Sequence, residues 1–442
     1  MLRILKHPVF LRLFTAQVVA LLGTGLLTVA LALLAYDLAG ERAGTVLGTA
    51  LTIKMVAYVV LSPVLAAALA HVPRKAVLVG ADLIRAGVAL ALPFIDGVWQ
   101  IYGLIFVLQA ASASFTPAFQ ATIPDVLTDE ADYTNALSLS RLAYDLENLL
   151  SPTIAGLLLL VVSYSMLFVG TVAGFLISAV LILSVSLPAR ASGTQRPFRE
   201  RLTRGTFIYL ATPRLRGLLA LNMAVAAVIA FVLVDTVVLV RGRFDGGERE
   251  VAIAMAAFGA GSMAAALVLP RLLIRLADRA VMLAGGTGLA LIGFGYALVL
   301  RGEGQSWGLL LAIWAVLGLC NSAVMTPSGR LLRRSAHEED RPAIFTAQFA
   351  LSHACWLLAY PAAGWLGPWL GLESTLAVLA VLAGGSVLLA MRVWPASRPD
   401  VIEHSHPDLP PDHPHLRAHG GARRHSHRII IDDEHLHWPS QG

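Results

Sequence analysis

The feature that most constrains this chain is a series of apolar runs, each about 20 residues or longer, that recur along most of its 442 residues. A helix rises 1.5 Å per residue, so about 20 residues cross the 30 Å hydrocarbon layer of a bilayer. Only 14% of the residues are charged, whereas soluble domains carry about 25%. The pattern therefore predicts an all-α membrane protein.

The apolar runs divide into twelve predicted transmembrane helices, six before a polar stretch near residue 200 and six after it. An even number of crossings returns the C-terminus to the side on which the chain starts. The predicted helices span residues 12–37, 44–70, 76–95, 100–122, 135–161, 164–187, 215–240, 250–274, 280–300, 307–329, 342–366 and 371–394.

The distribution of Lys and Arg residues predicts the orientation of these helices. Of the 33 basic residues, 25 lie before the first helix, in alternate loops or after the last helix. Loops on the cytoplasmic side of a membrane carry this excess. We therefore expect both termini in the cytoplasm and the protein in the cell inner membrane. The same reasoning explains the net charge of +5 without nucleic-acid binding.

Weak internal similarity relates the two sets of six helices. Thr116-Pro117 matches Thr326-Pro327, and Pro152 matches Pro361, both at an offset of about 210 residues. Two stacked bundles of six helices would leave such a repeat. We divide the chain into an N-terminal bundle, a cytoplasmic linker, a C-terminal bundle and a His-rich cytoplasmic tail, at residues 1–187, 188–213, 214–395 and 396–442.

Several motifs add a family resemblance to this architecture. The segment from Phe115 to Asp125 resembles the helix 4 signature of drug:proton antiporters with twelve spans, in the major facilitator superfamily. Asp82 to Ala86 resembles the start of helix 3 in that group, and Leu276 to Arg279 keeps part of an inter-helix motif. Ser151 to Gly156 resembles the antiporter motif of helix 5, with Ser and Ala where that motif has Gly.

Within that group, the chain resembles the NreB-type nickel-resistance exporters, which combine such a body with a His-rich cytoplasmic tail. The segments from Ala20 to Gly25 and from Ala30 to Asp37 resemble those exporters. The resemblance implies a secondary exporter of a divalent metal ion, most simply nickel, by proton antiport. It implies no cofactor and no enzymatic activity, and we expect a monomer in contact with membrane lipid.

Polar residues within the predicted helices are the candidates for the transport site, because ionisable groups in a membrane are costly unless paired or hydrated. Lys54 and Tyr58 are four residues apart on helix 2 and would share a face. The stripe faces a central cavity in one interpretation. In the other, Lys54 extends to the outer membrane surface.

Helix 5 is the most polar of the predicted helices. Arg141 and Asp145 are four residues apart and should form a structural ion pair. Glu147, next to Asn148, points away from Arg141 and is the candidate for a proton or cation site. The alternative role of Glu147 is a second structural ion pair.

Three further residues are candidates on other helices. Gln17 of helix 1, Asn321 of helix 10 and His353 of helix 11 could line a cavity. Each could equally form hydrogen bonds between neighbouring helices.

The tail contains nine of the 13 histidines, and eight of them form four His-x-His pairs. Residues i and i+2 of an extended chain project to the same side, so each pair could hold one divalent ion. We expect the tail to be mostly disordered, since it is polar and Pro-rich, with Ile429 to Asp433 as a segment that could dock. The predicted metal ligands are His404, His406, His413, His415, His419, His425, His427, His435 and His437.

Two other functions remain open on the sequence alone. The body could export a small organic compound, such as a drug or a siderophore, while the tail binds metal for another reason. The chain could also be a metal-responsive membrane sensor or a metal buffer. The sequence contains no phosphate-binding loop and no nucleophile elbow, which argues against direct ATP hydrolysis.

Overall fold

A computed structural model of the protein describes residues 2–39, 43–188, 196–302, 304–396, 401–406, 410, 413–418 and 423–438. Within these residues the structure is almost entirely helical. The first half contains α1 to α7, at Pro8–Ala39, Ala43–Val56, Ser62–Ala68, Arg74–Ala91, Val98–Val126, Glu130–Leu159 and Tyr164–Leu183.

The second half begins after a short helix in the linker, α8, at Phe198–Ala211. Its long helices are α9 to α12 and α14 to α15, with the short α13 after α12. These elements lie at Pro213–Phe244, Glu248–Arg275, Asp278–Arg301, Trp307–Met325, Ser328–Arg334, Arg341–Leu370 and Leu372–Val393.

Among the described residues, eleven helices are long and apolar enough to cross a membrane. The sequence predicted twelve crossings, and the remaining one corresponds to α6. That helix has 30 residues, long enough to span, but Arg141, Asp145 and Glu147 lie in its middle. These charged side chains lower the mean hydropathy of α6, so it is not among the eleven apolar helices. α6 packs between α1 and α10. The fold is that of an all-α, multi-pass membrane protein.

The second span is interrupted by a widened turn at its centre. α2 and α3 are joined by a π-helical turn, Ala57–Leu61, directly before Ser62 and Pro63. Pro63 has no amide hydrogen to donate to the carbonyl four residues earlier, and its ring clashes there. A π-turn relieves this conflict. It places Tyr58, one of the predicted site residues, at the irregular part of the span.

The segments predicted to be cytoplasmic meet at one end of the bundle. Lys75 donates to the carbonyl of Val185 (2.8 Å), Arg214 donates to Ser335 (2.7 Å), and Arg279 donates to the carbonyl of Trp394 (2.6 Å). We call this the tail end, since the tail also lies there.

The expectation of a mostly disordered tail is wrong for the tail residues that the structure describes. β1, at Val401–Ser405, pairs antiparallel with β2, at Arg424–Arg428, and the short α16, at Pro414–Ala418, lies between them. Ile429 and Ile431, directly after β2, are fully buried. Ile431 packs in the hydrophobic core of the second half, so the tail contacts the bundle through the Ile429 to Asp433 segment, as the sequence suggested.

Candidate functional site

Aromatic rings from the second span and from α14 meet between the two halves. The ring of Tyr58 lies 4.8 Å from that of Phe349 and 4.8 Å from that of His353, which it meets edge-on. Phe349 and His353 themselves are 4.3 Å apart on α14. The second span and α14 therefore contact each other through a cluster in which Phe349 is buried and the two predicted site residues, Tyr58 and His353, are half-buried.

One hydrogen bond fixes the chemistry of His353. Its Nδ1 lies 2.7 Å from the carbonyl oxygen of Phe349, one turn earlier on the same helix. Because a carbonyl only accepts, Nδ1 carries the hydrogen, and the Nε2 of the neutral ring keeps its lone pair. His353 can thus accept a hydrogen bond from a substrate or coordinate a metal ion.

Lys54 connects this cluster to Glu147. Its Nζ lies 5.7 Å from the centre of the Tyr58 ring, and its charge acts on both His353 and Glu147. Glu147 is half-buried, and one of its carboxylate oxygens faces Gly25 of α1. We call Lys54, Tyr58, Glu147, Phe349 and His353 the central site. It combines one cation, one carboxylate and one imidazole lone pair between the two halves.

Gly25 explains how α6 brings Glu147 so close to α1. A Cβ at Gly25 would lie 2.1 Å from both side-chain atoms of Ser151, one turn after Glu147. No larger residue fits there without moving one of the helices. The close approach of α1 and α6 thus depends on this glycine.

Arg141 and Asp145 form the ion pair that their spacing predicts, with 2.9 Å between nitrogen and oxygen. Arg141 also donates to the hydroxyl of Ser262 on α10, at 3.1 and 3.2 Å. This contact joins the two halves. Sequence reasoning missed Ser262, because nothing in the chain links two positions 121 residues apart.

The remaining candidates lie outside the central site. Gln17 accepts a hydrogen bond from Ser140 (3.1 Å) and bonds to Tyr144, so it joins α1 to α6. Asn321 is buried on α12, which packs on helices of the second half. The side chain of Asn148 is outside the described part of the structure. Phe349 was not predicted, since a phenylalanine in a membrane helix gives no distinctive signal.

Ion pairs connect the halves at the tail end. Asp125 of α5 pairs with Arg74 and, at 2.6 Å, with Arg341 of α14. Glu130 of α6 pairs with Arg330 of α13 at 2.9 Å and also with the neighbouring Arg334. Both arginines also reach Asp278 of the second half, at 3.2 and 3.0 Å. These contacts hold the two halves together at this end.

The tail hairpin gathers histidines from distant segments into one group. In the strand register, His404 lies opposite His425, and Ile402 lies opposite His427. The alternation of a strand places both pairs on one face. The ligand nitrogens of five residues lie within 4.8 Å of one another: His404, His406, His415, His427 and His435.

His425 adjoins these five, since its Nε2 lies 3.0 Å from that of His415. The Nε2 atoms of His404 and His435 are 3.1 Å apart. We call these six residues the histidine cluster. His413 and His437 are described but are not among the five that converge, and His419 lies outside the described residues. In the described residues, the predicted His-x-His pairs therefore do not form four separate metal sites.

The geometry of the histidine cluster suits a metal ion. With metal–nitrogen distances of about 2.0–2.1 Å, ligand nitrogens lie roughly 3 to 4.2 Å apart. The spread of 4.8 Å would have to close by only about half an ångström. Burial and the neighbouring imidazoles lower the pKa of His406 and lower that of His415 to about 4. These two rings are thus neutral at physiological pH, as metal ligands must be.

The sequence profile of the Major Facilitator Superfamily matches residues 13–242 and 218–406 of the chain. An MFS-type transporter of Bacillus subtilis, YfiS, is 26% identical over 340 residues, which cover 75% of this chain and 79% of the relative. Macrolide efflux protein A of Streptococcus pyogenes is 25% identical over 184 residues, which cover 40% of this chain and 45% of the relative.

A solved structure shares the fold over most of the chain. The outward-facing crystal structure of a bacterial homologue of the iron transporter ferroportin superposes with a TM-score of 0.68. The match covers 87% of this chain and 98% of the other, at 16% sequence identity. At that identity the likeness concerns the fold.

Proposed function

Since this chain belongs to the Major Facilitator Superfamily, and is therefore a membrane transporter rather than an enzyme, we propose that it is a proton-coupled exporter of a divalent transition metal ion. Nickel is the first ion to test. Similarity to a macrolide efflux protein supports the direction of transport. The choice of a metal as the exported substrate is carried by the histidine cluster.

A group of imidazoles with nitrogens within 4.8 Å of one another is chemistry for ions such as nickel, zinc, copper or iron. Such a group on the tail end of an exporter stands where the substrate is loaded, if that end faces the cytoplasm. A ligand set there raises the local concentration of the ion near the transport path. Cells that lack the protein should accumulate more nickel than cells that contain it.

The central site supplies a mechanism for exchange. The carboxylate of Glu147 lies near the cation of Lys54 and can be neutralised by Lys54, by a proton or by the exported ion. An incoming ion and a returning proton would then compete for the same carboxylate, as antiport requires. His353 contributes its Nε2 lone pair as a second ligand for the ion.

Purified protein in proteoliposomes, with an imposed pH gradient and radioactive nickel, tests this proposal. We expect nickel movement driven by the gradient, abolished in Glu147→Gln and reduced in His353→Ala. A matched control is Glu373→Gln, whose carboxylate pairs with Arg243 (3.2 Å) at the far end of the bundle. Gradient-independent leakage, or equal rates in all variants, would contradict the proposal.

The second candidate is export of a small organic compound, which the similarity to macrolide efflux protein A favours. The rings of Tyr58, Phe349 and His353 would then bind an apolar cargo. Resistance profiles across nickel, cobalt, zinc and a macrolide separate the two candidates. Protection against the macrolide alone would favour the organic substrate, whereas metal binding without any transport would fit a sensor or a buffer.

The proposed orientation places the tail end, and with it both termini, in the cytoplasm of a cell bounded by an inner membrane. The excess of basic residues in the segments that meet there supports this orientation. Reporter fusions after Pro188 and after Pro395 should both read as cytoplasmic. An external signal at either position would reverse the orientation or remove a crossing.

A further inference from the structure

The tail hairpin is attached to the bundle by a short segment that lies between two of the cluster histidines, His427 and His435. Asp433 receives hydrogen bonds from Arg196 (2.5 Å) and from Arg204 of α8 (2.9 Å). Ile429 and Ile431 are fully buried, and Ile431 joins the core of the second half. We call Ile429 to Asp433 the docking segment.

Asp432 links the docking segment to both the histidine cluster and the bundle. Its Oδ1 lies 2.8 Å from Nδ1 of His435, whose Nε2 faces the cluster. Its Oδ2 lies 3.2 Å from His337, in the loop between α13 and α14. A carboxylate that accepts from the second nitrogen of a ligand histidine is the usual outer partner in metal sites.

The surface under the docking segment connects the two halves of the transporter. α8 lies in the linker and contacts the first half through Arg201 and His71. It contacts the second half through Arg204 and Asp340, at 2.9 Å. Gly205 packs so tightly on α14 that a Cβ there would lie 2.1 Å from the carbonyl oxygen of Ala343. A ligand attached to α8 therefore acts on the element that bridges the halves.

We propose that the histidine cluster binds one divalent ion of the class that prefers imidazole, and that this ion fixes the docking segment on α8 and on the α13–α14 loop. The tail is then a metal-dependent clasp on the linker, beyond its role in collecting the ion. This inference rests on the metal-binding part of the proposed function.

The topology of the chain gives the physical reason. His427 and His435 lie on either side of the docking segment, and both belong to the cluster. An ion held by both closes the intervening loop and removes part of the entropy that docking must otherwise cost. Ligation of His435 through Nε2 also holds its Nδ1–H toward Asp432.

Thermodynamic linkage makes the proposal testable at a distance from the ligands. If the ion strengthens docking by some factor, docking must strengthen binding of the ion by the same factor. Asp433 belongs to the docking contact and is not a ligand. The adjacent Glu434 is exposed and makes no ion pair among the residues that the structure describes, so it is the matched control.

Nickel affinity of the full-length protein in detergent should therefore fall in Asp433→Asn and in Ile431→Ala, by between about 5 and 150-fold, the usual range of such coupling. Glu434→Gln should leave it unchanged. Asp432→Asn should weaken binding by about 10 to 100-fold, as loss of an outer partner does. Titration should give one tight ion per chain.

Amide hydrogen exchange across residues 429–433 supplies the second measurement. Nickel should slow exchange there by at least the factor by which Asp433→Asn weakens nickel binding. Two outcomes would overturn the proposal: nickel bound with no effect on exchange, or several equivalent ions per chain held by independent pairs.

The transport assay on the full-length protein tests the export proposal separately. If full-length protein moves no metal while its tail still binds nickel and docks, the export proposal fails and the clasp stands. If full-length protein binds no nickel, the clasp fails whatever the protein transports.

Discussion

The central site and the histidine cluster both use imidazole, but they hold it in opposite ways. In the membrane part, His353 is a single ring between Tyr58 and Phe349, with one nitrogen bonded to its own helix. In the tail, six rings come from four separate stretches of chain and leave nitrogens directed at one another.

The difference lies in how many rings converge, since each ring offers the same groups in both places. A neutral imidazole has one N–H and one nitrogen lone pair. Inside a bilayer an unsatisfied polar atom costs several kcal/mol, so the N–H of His353 is bonded to its own helix. In the tail, buried and half-buried rings bring several nitrogens together. The proposed functions fit this difference, with one ring for a reversible contact with the substrate and several rings for tighter binding of an ion.

The largest effect should come from removing the carboxylate of the central site. Glu147→Gln should abolish pH-driven transport. The ion, the proton and Lys54 are proposed to compete for the carboxylate of Glu147, and the amide of Gln cannot take its place. Tail binding of nickel should be unchanged. Transport assays and equilibrium dialysis on the same preparation measure both. Normal transport would place proton coupling at another residue, such as Asp37 or Asp235.

Removal of the tail should have a smaller and conditional effect. Truncation after Ala396 should weaken resistance severalfold at low metal, where local concentration matters, and leave it nearly unchanged at high metal. Growth across a nickel series measures this. Complete loss at every concentration, with normal protein level, would make the tail part of the transport step itself and erase the division between the two regions.

A substitution at the α1–α6 contact should reduce stability without removing any charged group. Gly25→Ala places a methyl group against Ser151 and should cost about 1–3 kcal/mol, as overpacking usually does. Thermal unfolding in detergent measures the loss. Ser151→Gly in the same protein should restore much of it, whereas an equal loss in the double variant would mean that the helices are not in this contact.

The smallest effect should come from the histidines that the pair pattern predicted as ligands but the structure leaves outside the cluster. His413→Ala and His437→Ala should each change nickel affinity by less than about threefold, since surface substitutions away from a site are usually within 0.5 kcal/mol. His404→Ala should cost far more. Calorimetric titration of the three variants compares them. Equal losses of affinity in all three would instead support the sequence prediction that each His-x-His pair holds its own ion.

The sequence by itself determined the fold, because the physics of a membrane is local. Apolar runs of the required length can only be helices in lipid, so the predicted 100–122 appears as Val98–Val126 and the predicted 371–394 as Leu372–Val393. The Arg141–Asp145 pair could also be predicted, since side chains four residues apart on a helix lie next to each other.

Only the tertiary structure decided which of the candidates meet. Tyr58 and His353 are almost 300 residues apart along the chain, and no helical or strand period relates such positions. In the tail, the pattern correctly predicted which histidines share a side of the strand. It could not predict the His404–His425 register or the arrival of His435, because those depend on pairing between distant segments and on burial of Ile431 against the bundle.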